Sequence, residues 1–482
     1  MRDGSDLQAG FAAVAPISNP PSHRFLTRLR QGAELLTCGG FLALAPLAGV
    51  AGGTNQAQVW LSKYLSLAET VNIALQQNGD ILRGKSDLEA AYGVVVQTKA
   101  ITIPRVQANG NYQATSETER FPFPGAPAAQ DQSWAANIQV VQSIYEGGRM
   151  TSALRTARLT KDQAVLQYQT TVADALLAVR LAYYDVLLAA DQIEVNEASV
   201  KLLTRELEDQ RRRYEAGTVP RFNVLRAEVE LSNERPKLIQ AKNAHRIAKN
   251  NLVNQLGYHV PAAVWEDVPL QLTDKLDAEP YKVELAVAIA KALQNRSELG
   301  ALQKAEALRG EGVVTAQAGG RPSVQLFAGY GGRNTAFNND LSQVVEGFSG
   351  GAQVSWSLFD GNLTRGKVDQ ARALHQGAKV DLDNQTRRIE LEVRTGFSNF
   401  IEANEILESQ KKVQEEAEES LRLAIARSEA GSGTQLDVLN AQTALTQARS
   451  TQVQALHDYD AARAKLERAM GLNTWGQSPQ PK

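Results

Sequence analysis

Side chains that commonly perform chemistry are sparse in this sequence. Its single cysteine, Cys38, excludes an internal disulfide and any zinc or iron–sulfur site built from several cysteines. The histidines are too scattered to show the short spacing of metal ligands. They are His23, His245, His259, His375 and His457. We therefore expect no metal site, no other cofactor and no enzymatic activity.

One segment has the glycine and lysine spacing of a phosphate-binding loop. Residues 361–368 read GNLTRGKV, with Gly361 ahead of Gly366 and Lys367 as the motif requires. The motif also needs Ser or Thr after the lysine to bind Mg²⁺, and Val368 supplies no hydroxyl. The strand predicted before it is amphipathic, whereas the strand before such a loop is buried on both faces. These two departures argue against nucleotide binding.

The overall composition is that of an ordinary protein with a hydrophobic core. The chain has 482 residues, with 51 Lys and Arg against 53 Asp and Glu, a net charge of −2. This near-neutral balance gives no support for nucleic-acid binding, which needs a basic excess. With 43% hydrophobic and 22% charged residues, the chain is too apolar for disorder and too polar for a protein of many membrane-spanning helices.

The N-terminal residues have the three parts of an export signal. Residues 23–30 are basic, residues 35–50 are mostly apolar or small, and Gly49-Val50-Ala51 offers the small side chains of a cleavage site. We expect cleavage after Ala51. Two alternatives fit less well. The apolar stretch is short for a membrane anchor, and lipidation of Cys38 would require a small residue in place of Thr37.

The rest of the chain consists of two tandem copies of one structural unit. The segment 145–148 corresponds to 359–362 at an offset of 214 residues, and Arg213…Gly217 corresponds to Arg427…Gly431 at the same offset. The expected divisions are a signal peptide (1–51), a first repeat (52–280), a second repeat (281–472) and a C-terminal tail (473–482).

Each repeat contains two segments whose polarity alternates with a period of two. From 105 to 114 every even position is apolar or small and every odd position is polar, so the strand has one apolar and one polar face. Such alternation predicts strands at about 103–114, 134–145, 322–331 and 348–358. Their lengths suit a tilted membrane barrel, although a half-buried soluble sheet alternates in the same way. The aromatic residues that we assign to a membrane interface near strand ends are Tyr112, Trp134, Tyr330, Phe348 and Trp356.

Long helices follow both strand pairs. No proline occurs from 147 to 213 or from 364 to 428, which predicts two helices about 100 Å long. Within the first, apolar residues are spaced alternately by four and three, as in a coiled-coil seam, and alanines recur every seventh residue beside them. The first series is Val172, Leu176, Val179, Tyr183, Val186 and Ala190, and the second is Ala175, Ala182 and Ala189. Glycine ends each long helix, and the predicted return helices are 221–256 and 435–470.

Four strands are too few to close a barrel, which needs about eight. Open strand edges cannot face lipid, because each unpaired backbone group costs several kcal/mol there. Strands from at least two copies of the chain must therefore join. Together with the export signal, this predicts a barrel in a bacterial outer membrane that continues as a tube of helices.

The order and spacing of several segments resemble the TolC family of outer-membrane efflux channels. The resemblance covers residues 60–472 and includes both repeats. The segments that carry it include 65–69 (LSLAE), 104–112 (PRVQANGNY), 144–149 (IYEGGR), 357–361 (SLFDG) and 436–442 (LDVLNAQ).

The resemblance implies a mainly α-helical chain whose four strands complete a twelve-stranded β-barrel in a homotrimer, continued by an α-helical coiled-coil tunnel. A mixed equatorial region is expected around 258–280. The implied function is that of a passive duct, with its barrel in outer-membrane lipid and its helices in the periplasm. The implied partners are a periplasmic membrane-fusion adaptor and an inner-membrane pump of the RND, ABC or MFS class.

The resemblance also points to residues at the helix tips. Asp437 and Asn440 match the family's aperture positions, and Asn223 stands where Asp437 does in the other repeat. Three carboxylates of a trimer held around one axis would attract cations. Alternatively, Asp437 only favours the dipole at the start of a helix. The tips expected to dock the adaptor comprise Gly217, Thr218, Pro220, Gly431 and Gly433.

The sequence leaves the exported substrate open. A duct for the efflux of small drugs and a duct for type I protein or glycolipid secretion would share this fold. A third alternative, from a different class, is a soluble periplasmic coiled-coil scaffold or adaptor. Such a protein would have a half-buried soluble sheet in place of a membrane barrel.

Overall fold

The structure is a computed structural model that describes residues 64–115, 132–259, 267–334 and 341–472. The expected signal peptide at 1–51, which includes Cys38, and the tail at 473–482 lie outside these residues. Part of the expected equatorial linker, 260–266, also lies outside them.

The first half of the described chain runs from short helices through a pair of strands to two long helices. Its elements are β1 (Tyr64–Leu65), α1 (Leu67–Gln77), α2 (Gly79–Lys99), β2 (Arg105–Ala114), β3 (Gln132–Glu146), α3 (Arg149–Glu215) and α4 (Arg221–Gln255). A 3₁₀ turn, Ala100–Thr102, joins α2 to β2.

The second half repeats this order. Its elements are β4 (Gln271–Leu272), α5 (Leu285–Asn295), α6 (Ser297–Ala318), β5 (Ser323–Asn334), β6 (Val344–Ser355), α7 (Leu363–Glu429) and α8 (Gln435–Ala469). Both α3 and α7 have 67 residues, and both α4 and α8 have 35. The two tandem strand–strand–long-helix units predicted from the sequence are therefore confirmed. Among the described helices, none combines the length and the apolar character needed to span a membrane.

The four long strands form one antiparallel sheet in the order β2-β3-β5-β6. The first hairpin thus pairs with the second, and β2 and β6 are left at the two edges. A bulge between Ser143 and Tyr145 shifts the register of β3 against β5 near the long helices. Because the number of strands is even, the two edge strands run in opposite directions.

The largest hydrophobic core surrounds the middle of α3. Leu176, Val179, Tyr183 and Val186 are buried there, as their spacing predicts. The parallel pair β1–β4 lies beside them, and the Tyr183 hydroxyl donates to the carbonyl oxygen of Leu65 at 3.2 Å. The buried apolar residues of α3 thereby pack the long helix against β1 and β4.

Left-handed glycines end both return helices against the start of the matching repeat. Gly257 has φ +80°, and a Cβ placed on it would overlap the carbonyl oxygen of Gln77. Asn78 closes the same junction, because its side-chain amide donates to the carbonyl oxygen of Gln255 at 2.6 Å. In the second repeat, Arg296 donates to the carbonyl oxygens of Arg468 and Ala469. One terminal carbonyl of α4 and two of α8 thereby have hydrogen-bond partners.

A histidine of α8 forms a contact with a carboxylate of α3. His457 Nε2 lies 2.9 Å from Asp185 Oδ1 of α3, and Nδ1 lies 3.0 Å from Asp458 Oδ1. Burial alone would lower the pKa of His457. The hydrogen bonds and charges of the two carboxylates outweigh burial and hold that pKa above its usual value.

The junction at Gly257 predicts two alanine substitutions of unequal cost. Gly217 has a similar φ, +72°, with open space around it, so Gly217→Ala should cost only the left-handed strain of about 1–2 kcal/mol. Gly257→Ala must also displace the end of α1, so its loss of folding stability should be at least about twice as large. Thermal unfolding of each variant in detergent, followed by circular dichroism, measures the two losses. Equal melting temperatures would contradict the close contact at Gly257.

The raised pKa of His457 predicts a pH-dependent stability. The charged imidazolium stabilises the fold below the unfolded pKa of about 6.5, and this contribution is lost as pH rises through the folded pKa. The melting temperature of the protein that keeps His457 should therefore fall, relative to His457→Gln, as pH rises from 6 to 8. Burial raises the pKa of Asp460 to about 6, and His457 is among the charges that oppose this rise, so both proteins of the comparison also carry Asp460→Asn, which removes that titration. A difference that stays constant across this range would show that folding does not raise the pKa of His457.

Candidate functional site

The four-stranded sheet has two chemically different faces. Directly opposed residues share a face, so pairs such as Asn109–Asn137 build a polar face, and pairs such as Ala108–Ile138 build an apolar one. On the apolar face, Val106, Tyr112, Ile138 and Phe348 are 67%, 61%, 58% and 90% exposed. The described part of one chain therefore leaves its apolar sheet face uncovered.

The aromatic residues assigned to a membrane interface lie at three levels of this sheet. Tyr112 and Trp134 oppose each other at the end far from the long helices, and Trp356 follows β6 at the near end. Tyr330 and Phe348 also oppose each other, with ring centroids 4.8 Å apart. They lie in the middle of β5 and β6 rather than at strand ends, because β6 begins at Val344 and not at Phe348.

At the other end of the long helices, the first tip is a tight turn between α3 and α4. Gly217 takes a left-handed conformation, and its amide donates to the carbonyl oxygen of Tyr214. The amide and hydroxyl of Thr218 both donate to the carbonyl oxygen of Arg213, at 2.9 and 2.8 Å. Pro220 then occupies the N-cap position of α4.

The second tip, between α7 and α8, has the same length and a similar backbone. Gly431 has φ +74°, and the amide of Gly433 donates to the carbonyl oxygen of Arg427 at 2.9 Å. A Cβ on Gly433 would lie 3.1 Å from the Arg427 backbone. Both tips are thus compact turns that glycine makes possible.

The two tips lie side by side. The side-chain amide of Gln435 donates to the carbonyl oxygen of Asn223 at 3.3 Å. Behind this contact, apolar residues of α3 and α4 pack against Leu439 of α8. Asn223 is therefore close to the second tip, and the contact it makes there is through its backbone.

Asp437 forms a capping box with Thr434 at the start of α8. Its Oδ2 accepts from the Thr434 amide at 2.9 Å and from the Thr434 hydroxyl at 2.8 Å. Hydrogen bonds from the Thr434 backbone and then its side chain lower the pKa of Asp437, as does nearby Arg427. The carboxylate is thus held ionised and exposed, and its capping role is compatible with a role at an aperture.

Beside this cap, an open groove of about 850 Å³ runs between α7 and α8. Its charged and polar lining includes Glu415, Glu416, Glu419, Arg427, Asp437 and Asn440. Its four carboxylates face Arg427, and Glu419 also pairs with Arg422 at 2.6 Å, so the groove keeps a net negative charge that attracts cations. The structure therefore brings Asp437 and Asn440 together with three glutamates that the sequence reasoning missed. The sequence signal for them is the acidic run 415–419 (EEAEE) on the helix that leads into the second tip.

Comparison with known proteins gives the same fold and a family. The family model for outer membrane efflux proteins matches residues 70–258 and 288–472. The outer membrane protein TolC of Vibrio cholerae is 25% identical over 424 residues, which cover 87% of this chain and 93% of that protein. The alkaline protease secretion protein AprF of Pseudomonas aeruginosa is 24% identical over 418 residues, 85% of each chain.

A solved structure agrees with these sequence matches. The outer membrane protein VceC from Vibrio cholerae superposes with a TM-score of 0.70 at 18% identity, over 84% of this chain and 96% of that one. The family match spans most of both repeats, including the strands and the long helices. This chain belongs to the outer membrane efflux protein family.

Proposed function

We propose that the chain is the outer-membrane channel of a tripartite export system, a passive duct from a periplasmic adaptor and an inner-membrane pump to the exterior. The observation that carries this proposal is the four-stranded sheet with two open edges and one uncovered apolar face. It stands at one end of two helix pairs whose compact tips lie at the other. Membership of the outer membrane efflux protein family supports the same function.

The open sheet edges support a homotrimer. β2 and β6 run in opposite directions, so β2 of one copy can pair antiparallel with β6 of the next and continue the sheet without a change of pattern. Three copies supply twelve strands, enough to enclose a water-filled lumen. No backbone edge then remains to face lipid.

The two sheet faces support placement of this barrel in the outer membrane. Strands of 10 to 15 residues are long enough to cross a bilayer when tilted. The apolar face would contact lipid, with Tyr112, Trp134 and Trp356 near its two interfaces. The polar face would line the lumen.

The helical part would extend into the periplasm. In the trimer, three copies of α3, α4, α7 and α8 form a tunnel wall of twelve helices. The tips at Gly217–Pro220 and Gly431–Gly433 would dock the adaptor, and Asp437 with Asn440 would lie at the aperture. A duct of this kind moves its cargo without covalent chemistry, and the energy for transport comes from the inner-membrane pump.

The names of the family and of its members point to different cargo. One relative is named an alkaline protease secretion protein, whereas the family is named for efflux. Protein export and efflux of small solutes are therefore both open for this chain. We therefore assign the duct and leave both classes of cargo as outcomes of a transport assay.

The proposed function predicts the behaviour of the channel in a bilayer. Purified protein added to one side of a planar lipid bilayer should give discrete current steps, and cross-linking of the same sample should stop at a trimer. Carbonate or urea should fail to strip the protein from outer membranes. Release by these washes, together with an absence of current steps, would instead identify a soluble periplasmic scaffold.

The proposed aperture predicts block of the channel by a multivalent cation. Hexaamminecobalt(III) added at the helical end should block the current, and Asp437→Asn should weaken this block about tenfold, because three carboxylates are lost around one axis. Asn440→Asp should strengthen it. Thr434→Ala serves as the matched control, since it removes the capping hydroxyl and keeps the charge. An equal loss of block in Thr434→Ala and Asp437→Asn would assign Asp437 to helix capping alone.

A further inference from the structure

The polar face of the sheet carries two arginines at different levels. Arg105 lies in the row of directly opposed residues that also contains Val141, Phe327 and Gly351. Arg333 lies in the row of Asn111, Ala135 and Val345. Six residues along β2 separate the two rows, a distance of about 20 Å. Arg105 is nearer the long helices, and Arg333 is nearer the far end of the sheet.

The two carboxylates on the described long strands, Glu146 and Glu346, do not neutralise the charge of either arginine. Glu346 opposes Gly332, so it belongs to the apolar face. Glu146 belongs to the polar face but lies at the base of the sheet, where its Oε2 is 4.0 Å from Arg149 Nε. Among the described residues, no acidic side chain shares the polar face with Arg105 and Arg333 between these two levels.

Both guanidinium groups are available to a solute. Arg105 and Arg333 are exposed, and the described part of the chain offers neither of them an ion pair. The two rows between them hold the uncharged side chains of Gln107, Gln139, Asn109 and Asn137, with glycine or serine opposite on β5 and β6. Amide side chains donate and accept hydrogen bonds without adding charge. The polar face is therefore positively charged at both levels and neutral between them.

We propose that the barrel lumen binds anionic solutes through two rings of arginine, formed by Arg105 and Arg333 of three copies. This inference rests on the proposed trimeric channel, since three copies turn each arginine into a ring around the lumen. Rings of Arg or Lys are the arrangement that favours anions in pores. Guanidinium groups also bind phosphate and carboxylate oxygens in a two-pronged geometry.

The arginine rings give the two ends of the duct opposite charge. The groove beside Asp437 carries four carboxylates against Arg427 and against Arg422, which pairs with Glu419, so it stays net negative. The barrel carries arginines alone between the levels of Arg105 and Arg333. A cationic solute is thus concentrated at the tips, and an anionic solute is concentrated in the barrel. The specificity of this channel for its cargo would then depend on two separate sites.

Single-channel block by inorganic tripolyphosphate tests the rings. Protein is added to one side of a planar bilayer, and the polar helices stay on that side, so the far end of the barrel opens on the other. Tripolyphosphate on the barrel side should block the unsubstituted channel. The double variant Arg105→Gln with Arg333→Gln should bind it about tenfold more weakly, and each single variant should show part of that loss.

Matched variants separate charge from structure. Arg105→Lys with Arg333→Lys keeps the charge and loses only the two-pronged geometry of the guanidinium groups, so the block should stay within about threefold of that in the unsubstituted channel. Gln107→Asn changes an uncharged neighbour on the same face and should leave the block unchanged. If the glutamine variant gives no openings, the unsubstituted and lysine channels still decide: block of both supports the rings, and block of neither overturns them.

Two results would overturn the proposal in distinguishable ways. An open unsubstituted channel that tripolyphosphate fails to block, or an equal block of the glutamine variant, contradicts the arginine rings and leaves the channel intact. A complete absence of current steps contradicts the channel itself, and the rings with it.

Discussion

The unpaired backbone edges of β2 and β6 constrain the rest of this structure. A sheet of four strands cannot close on itself, and a strand edge cannot be left in lipid, where each unpaired group costs several kcal/mol. The edges run in opposite directions, so a second copy can satisfy them in the antiparallel pattern of the whole sheet. In the proposed trimer, one chain supplies a third of the barrel, and its apolar face becomes a lipid surface only after assembly.

The long helices depend on the same assembly of several copies as the strands do. Each strand pair leads directly into a 67-residue helix, so the number of long helices in the wall follows from the number of strand pairs in the barrel. The heptad seam of α3 buries its apolar residues within the wall, and left-handed glycines turn the chain back at each tip. In the proposed channel, the charged groups at the two ends, acidic beside Asp437 and basic at Arg105 and Arg333, would act on the cargo.

The local patterns made much of this fold predictable. Alternating polarity located the strands, proline-free heptads located the long helices, and Gly217 and Gly431 located the tips. The start of β6 was less predictable, because Glu346 sits on its apolar face and obscures the alternation before Phe348. Contacts between distant residues could not be read from the sequence. Arg296 reaches the end of α8, and the glutamates before the second tip join Asp437 only once α7 and α8 pack together.

Disulfide trapping between copies tests the central claim most directly. In a Cys38→Ser background, one cysteine is placed along β2 from 105 to 114 and another along β6 from 344 to 355, and cells are oxidised before electrophoresis. Opposed positions across the β2–β6 seam should give covalent dimers and trimers, and matched pairs with one cysteine in the interior strand β3 should not. Monomers alone across the full scan would contradict closure of the barrel by edge pairing between copies.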